Sequence, residues 1–144
     1  MKMKERICYI LGIIGGTIGS LLGGWSEGVE ALCILMLTDT ILGIICAAVY
    51  KHSKKTELGG LSSYALWKGL AKKVLTLVIV GVGAQIDRTV GTHFLRDGFV
   101  VAFSVSEGLS IIENAGLMGL PIPKVISNAL ETMREQQKIN TKTN

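Results

Sequence analysis

Four long apolar segments constrain this chain more than any other feature of its sequence. They run over about residues 7–25, 29–50, 70–88 and 94–116. Each reaches the roughly 20 residues that an α-helix needs to cross the hydrocarbon core of a bilayer. Of the 144 residues 49% are hydrophobic and 18% charged, which is too apolar for an ordinary soluble domain. We therefore predict an all-α integral membrane protein with four transmembrane helices, forming a single membrane domain over residues 1–144.

The third apolar segment is the weakest of the four. Lys72 and Lys73 lie in its first turn and must extend toward the lipid headgroups. A three-span alternative would leave either the first or the third segment on the membrane surface. The basic start of the chain, followed by an apolar run, also fits a secretory signal. Because residues 23–26 lack the usual cleavage pattern, we expect the first segment to be retained.

Positive charge is distributed unevenly between the connections. The connection after the second segment is rich in lysine, whereas the one before it is short and acidic, with Glu27 and Glu30. If both termini are cytoplasmic, four spans place 13 of the 15 Lys and Arg residues on the cytoplasmic side and leave Arg88 and Arg96 outside. This distribution follows the positive-inside rule. We therefore predict a multi-pass protein with both termini in the cytoplasm.

Small residues recur at every fourth position of the first segment. This spacing lets helix backbones approach closely, and such contacts drive helix association in lipid. The sequence leaves two uses open, namely packing within one subunit and assembly of several subunits. The candidate packing positions, with one from the second segment, are Gly12, Gly15, Gly16, Gly19, Ser20, Gly23 and Gly43.

Acidic residues inside the apolar segments are the candidate functional residues. Asp39 lies near the middle of the second segment, and Glu107, Ser110, Glu113 and Asn114 fall within an arc of about 120° on the fourth. An ionisable residue inside a membrane is a functional hypothesis by default, because lipid penalises its charge. Since no Lys or Arg lies mid-span, we expect Asp39 and Glu107 to lack an internal cation. Each would be a neutral carboxyl that stabilises packing, or would face water or another subunit.

Two polar stretches complete the predicted architecture. The stretch of residues 61–73 is expected to be an interfacial loop segment, since its aromatic and basic residues suit the headgroup layer. Its basic residues are Lys68, Lys72 and Lys73. After Pro123, the pattern predicts a short amphipathic helix in a cytoplasmic tail of residues 121–144.

The sequence carries no motif for covalent chemistry. Its three cysteines and two histidines lack metal-ligand spacing, and no nucleophile elbow or phosphate-binding loop is present. The lysines are accounted for by topology, and no nucleic-acid recognition motif accompanies them. We therefore expect no catalytic residue, cofactor, metal site or nucleic-acid partner.

Several short motifs follow one another in an order typical of one family. Asp39-x-x-x-Gly43 precedes Gly69-Leu70-x-Lys72-Lys73, then Asp87, then Glu107-x-x-Ser110-Ile111-x-Glu113-Asn114-x-x-x-Met118-Gly119-Leu120-Pro121-x-Pro123. Over roughly Val29 to Leu130 the chain resembles the toxin-secretion and phage-lysis holins, the TcdE-type group. The final block is the most specific part of the resemblance.

The resemblance implies a phage or prophage protein that forms homo-oligomers in the bacterial cytoplasmic membrane and permeabilises it. An endolysin then reaches the cell wall and the host cell lyses, or a toxin leaves the cell. Coupling to the endolysin needs no direct contact, so the implied partners are membrane lipid and further copies of the chain. The resemblance also implies no enzymatic activity. Two alternatives stay open, a small ion channel or transporter subunit and a holin antagonist.

Overall fold

Four long helices form the body of the protein. The computed structural model describes residues 2–52, 60–129 and 131–132. The helices are α1 (Met3–Leu21), α2 (Glu27–Ile45), α3 (Ser63–Val90) and α4 (Phe94–Leu117). A π-helical turn, Cys46–Tyr50, continues α2, and residues 124–129 are also helical. The all-α prediction is therefore confirmed for the described residues, while most of the predicted tail, residues 133–144, lies outside them.

The connection between α1 and α2 is a tight glycine turn. Gly23 and Gly24 have φ angles of 80° and 99°, in the left-handed region that glycine adopts without steric cost. α1 therefore ends at Leu21, four residues before the predicted limit of its segment. Ser26 then caps α2, because its Oγ accepts a hydrogen bond from the Val29 amide at 3.4 Å.

The prediction of an interfacial loop segment over residues 61–73 is wrong in its secondary structure. α3 begins at Ser63 and continues without a break for 28 residues. The Ser62 side chain starts it by accepting a hydrogen bond from the Ala65 amide at 3.4 Å. The helix thus includes Tyr64 and Trp67, which are both exposed. The serine cap and the helix-forming residues after it favour a helix more strongly than the polar composition favours a loop.

α3 runs antiparallel to α2 and to α4, and α2 and α4 run parallel to each other. At one end, Arg88 of α3 donates to the Ser20 carbonyl of α1 at 2.7 Å, and Arg96 of α4 donates to the Gly24 carbonyl at 3.1 Å. We call this the turn end, since it contains the connections of residues 22–26 and 91–93. At the opposite end, the His52 ring Nδ1 lies 3.1 Å from the Leu117 carbonyl. Three exposed lysines mark this second end, which we call the basic end: Lys51, Lys68 and Lys72.

The apolar core lies between α2, α3 and α4, nearer the turn end. Phe99 and Phe103 of α4 stack with ring centroids 6.2 Å apart and pack against it. Gly83 allows the Phe99 ring to pack closely against α3, since a Cβ at Gly83 would lie 2.8 Å from that ring. The buried members of the core are Leu22, Val29, Leu32, Met36, Val80 and Val100.

The outer surface of this bundle differs from that of a water-soluble protein, because large apolar side chains are exposed on it while two aspartates are buried. Leu37 and Leu75 are 63% and 57% exposed, whereas Asp39 and Asp87 are 4% and 2% exposed. A soluble surface rarely shows contiguous apolar faces of this extent, and lipid is the solvent that suits them. Within the described residues two helices, Glu27–Tyr50 and Ser63–Val90, are long and apolar enough to cross a membrane.

Candidate functional site

An ion-pair network joins three helices inside the bundle. Lys73 of α3 donates from its Nζ to Asp39 Oδ2 of α2 at 2.9 Å and also to Glu107 Oε2 of α4. Asn114 of α4 donates from Nδ2 to the other Asp39 oxygen, Oδ1, at 3.1 Å. Both oxygens of Asp39 therefore have hydrogen-bond partners. We call Asp39, Lys73, Glu107 and Asn114 the charge network.

The prediction that Asp39 and Glu107 lack an internal cation is wrong. Lys73, expected at the lipid headgroups, points between the helices, and its side chain is only 15% exposed. The reason is the register of α3, in which the flexible lysine stem leaves the helix on the buried face. Lys68 and Lys72 of the same helix are exposed. Only Lys73 of these three enters the interior.

A signal in the sequence could have placed Lys73 on that face. The buried residues of α3 are Thr76, Val80, Gly83, Ala84 and Asp87. They recur at intervals of three and four, which is the helical repeat of one face. Lys73 lies three residues before Thr76 and therefore continues the same face. Because most residues on this face are small or polar, the face does not show as a periodic pattern of apolar residues.

The remaining members of the predicted polar stripe lie beside the charge network. Ser110 and Glu113 line a cavity of about 120 Å³ between α2, α3 and α4. The same cavity is bordered by Asp39, Lys73 and Asn114. The structure thus gathers all five predicted polar residues around one interior region, with Lys73 as the cationic partner of Asp39 and Glu107.

The predicted packing glycines divide into two groups. A Cβ on Gly19 would lie 2.4 Å from Trp25 Nε1, and one on Gly23 would lie 3.0 Å from the Ala84 Cβ. Gly43 faces Asn114, with a distance of 3.8 Å for such a Cβ. These three glycines therefore pack within the subunit, and the nearby Ser20 is exposed and accepts the Arg88 hydrogen bond through its carbonyl. By contrast, nothing lies within 4 Å of a Cβ on the others, Gly12, Gly15 and Gly16.

A second polar cluster at the turn end was not predicted as a unit. Asp87, the last buried residue of α3, accepts hydrogen bonds from the Thr92 hydroxyl at 2.6 Å and from the Leu95 and Arg96 amides at 3.2 and 2.8 Å. It therefore caps the amino terminus of α4, where helix N–H groups lack partners. In the sequence this residue stands out only as one of the ordered motifs. An acidic residue shortly before a helix start is the signal that could have shown its role.

Arg96 links this cluster to the α1–α2 turn. Its Nη2 donates to the Ser26 hydroxyl at 2.6 Å and to the Gly24 carbonyl at 3.1 Å, and the residue is buried. Gln85 adds a contact by donating to the Leu21 carbonyl at 2.9 Å. The Gln85 hydrogen bond satisfies a carbonyl that the end of α1 leaves without an intrahelical partner, and the Arg96 hydrogen bonds stabilise the turn that follows α1. The contacts at the turn end thus hold the helix ends together, whereas the charge network lies toward the basic end.

The described residues contain no group of three or more His, Cys, Asp or Glu side chains that could hold a metal ion. What the structure offers is a charged interior within apolar outer faces. Such an arrangement defines a class of α-helical membrane proteins whose buried charges are paired between helices.

Comparison with known proteins identifies the family within this class. Residues 16–135 match the bacteriophage holin family, so the chain belongs to that family and the resemblance seen in the sequence is confirmed. The family consists of membrane proteins that are typically non-enzymatic.

Relatives cover most of the chain. An uncharacterized protein of Listeria innocua is 34% identical over 128 residues, which are 87% of this chain and 86% of that protein. An uncharacterized protein of Clostridium perfringens is 30% identical over 137 residues, 92% of this chain and 96% of its own length. A probable holin of Bacillus phage phi105 is 29% identical over 113 residues, 78% of each chain. No solved structure matches the chain.

Proposed function

We propose that this protein is a holin that self-associates in the bacterial cytoplasmic membrane and permeabilises it, so that an endolysin reaches the cell wall. The observation that carries the proposal is the charge network enclosed by apolar outer faces. Lys73 lies between Asp39 and Glu107 inside the bundle, while the outward side chains suit lipid. Family membership supports the same function.

The proposed topology has four spans with both termini in the cytoplasm. At 1.5 Å per residue, α1 with 19 residues and α4 with 24 would span about 28 and 36 Å, close to the roughly 30 Å of the hydrocarbon core. The antiparallel course of α3 relative to α2 and α4 is compatible with this arrangement. The positive-inside rule then places the basic end in the cytoplasm and the turn end outside.

The charge network allows the subunit two states in a membrane, one with the helices packed together and one with the helices separated. While Lys73 pairs with Asp39 and Glu107, the charges satisfy one another and the outer surface stays apolar. When the helices separate, the same groups lose their partners and need water, since lipid cannot solvate them. Rearrangement of several subunits would therefore favour a water-lined lesion.

Self-association is proposed to use the open face of α1. Gly12, Gly15 and Gly16 have room for a neighbouring backbone, and at about 100° per residue they lie within an arc of about 100°. Small residues on one helical face are typical of helix contacts in membranes. Trp25 covers Gly19 and donates to the Gly15 carbonyl at 3.3 Å on the same side of α1. The part of this face left for another copy is therefore the amino-terminal part, at Gly12 and Gly16.

Inducible expression with a membrane-potential dye, with and without an endolysin gene, tests the function. A holin should collapse the potential abruptly after a delay, and lysis should follow only when the endolysin is present. A selective and reversible current would identify an ion channel or transporter subunit instead. Delay of lysis caused by another holin would identify an antagonist.

A further inference from the structure

The cavity beside the charge network has no role in the function proposed so far. It has a volume of about 120 Å³, well above the roughly 10–15 Å³ that one water molecule requires. Its inner part is formed by Asp39, Lys73 and Ser110, all polar. These three groups offer hydrogen-bond partners to water in a cavity whose lining is otherwise largely apolar, whereas a cavity lined only by apolar groups stays dry.

The cavity extends from the basic end of the bundle toward its interior. Its lining includes residues from the start of α3 and from the far ends of α2 and α4, all at the basic end: Ala47, Gly60, Leu61, Ser62 and Leu117. From these helix ends it extends inward to Asp39 and Lys73. Toward the turn end, the next buried residues on α3 are Thr76 and Val80, and Val80 belongs to the apolar core. The core therefore separates the cavity from the turn end.

Small residues on two helices keep this space open. Gly43 of α2 and Gly69 of α3 line the cavity, and neither carries a side chain that would fill it. A Cβ on Gly43 would lie 3.8 Å from the Asn114 side chain, and no atom of a neighbouring residue lies within 4 Å of a Cβ on Gly69. Larger residues at these positions would reduce the space beside the charge network.

We propose that this cavity is a water-filled vestibule that hydrates the charge network from the cytoplasmic side only, before any lesion opens. The proposal rests on the topology proposed above. It gives the buried charges a solvent that lipid does not provide, because water molecules at the inner part lie beside Asp39 and Lys73.

Single-cysteine labelling of the full chain tests this proposal. The background replaces Cys8, Cys33 and Cys46, and the probe is a membrane-impermeant trimethylammonium methanethiosulfonate. Gly43→Cys and Ser110→Cys place a thiol in the vestibule. Ile41→Cys and Val105→Cys place one on the exposed apolar faces of the same helices. Ser110→Cys is nearly isosteric, so one vestibule variant keeps the native packing.

In inverted vesicles, which present the cytoplasmic face, the two vestibule thiols should react at least tenfold faster than their controls. In spheroplasts, labelled from outside before lysis, they should react as slowly as the controls. Equal rates at all four positions, or faster labelling from outside, would each overturn the proposal.

Endolysin-dependent lysis measured for the same variants separates this proposal from the proposed function. A variant that lyses cells but shows no one-sided labelling contradicts the vestibule alone. One-sided labelling in a chain that never collapses the membrane potential contradicts the holin function and supports the vestibule.

Discussion

Lys73 and Asp39 form a 2.9 Å ion pair between α3 and α2, although 34 residues separate them along the chain. Glu107 lies 34 residues beyond Lys73 and binds the same ammonium group. One lysine therefore connects three helices through two carboxylates. Because lipid solvates none of these groups, the pairing stabilises the closed bundle as long as the helices stay together.

Removal of the lysine should destabilise the closed bundle. In Lys73→Met, Asp39 and Glu107 lose their shared cation, and breaking a buried pair in this way costs about 3–5 kcal/mol. We expect earlier collapse of the membrane potential at equal protein amounts, measured with a potential dye and immunoblotting. Lys72→Met makes the same charge change one residue away on an exposed side chain. An equal shift in both variants would show that net charge, rather than the network, sets the timing.

Removal of every charge of the network should act in the opposite direction. Asp39→Asn combined with Glu107→Gln and Lys73→Met should leave insertion intact and delay or abolish permeabilisation, because the helices then have no network charge to hydrate. The matched variant keeps Lys73 without its two carboxylates and should open earlier, as Lys73→Met does. Both variants should fractionate with the membrane. Unchanged lysis timing in the fully neutral variant would contradict a role for the network in opening.

A bulky residue on the open face of α1 should weaken assembly. Gly16→Leu adds a side chain where nothing lies within 4 Å in the subunit, so the fold should be kept and only contacts with other copies should suffer. Cross-linking through the exposed Cys8, with the other two cysteines replaced, should yield fewer oligomers. The control Ile14→Phe adds bulk on the opposite side of α1 and should leave the yield of oligomers unchanged. An undiminished yield of cross-linked oligomers for Gly16→Leu would count against assembly through this face of α1.

The choice of glycine matters for that experiment. A Cβ on Gly19 would lie 2.4 Å from Trp25, so Gly19→Leu should disturb the α1–α2 turn within the subunit. We expect this variant to lose thermal stability in detergent, whereas Gly16→Leu should not. Circular dichroism of the two purified variants measures the difference, and equal stability would show that Trp25 moves aside without cost.

Asp87 should contribute to stability through its cap on α4. Asp87→Asn replaces one of two accepting oxygens, so the Arg96 amide or the Thr92 and Leu95 pair loses its acceptor. Loss of a helix cap costs about 0.5–2 kcal/mol. The loss should appear as a lower unfolding midpoint in detergent. Asp97→Asn removes the same charge from an exposed position on α4, and an equal loss there would point to net charge in place of the cap.

The long helices and the depth at which polar residues interrupt them follow from the sequence. Apolar length and helical periodicity are local properties, so the bounds of α2 and α4 and the shared face of Glu107, Ser110 and Asn114 could be predicted. The start of α3 was missed because the Ser62 cap is a weaker signal than the polar composition around it. The sequence order of motifs also indicated the family, which the comparison confirms.

The partner of each buried charge was decided by the tertiary structure. A lysine side chain is flexible, and the same residue in the first turns of a span extends toward the headgroups or between helices according to what surrounds it. The antiparallel arrangement brings Asp39 and Glu107 within reach of Lys73. Composition and periodicity thus indicated a membrane protein with charges inside its helices, and only the packing of α2, α3 and α4 showed that one lysine joins them.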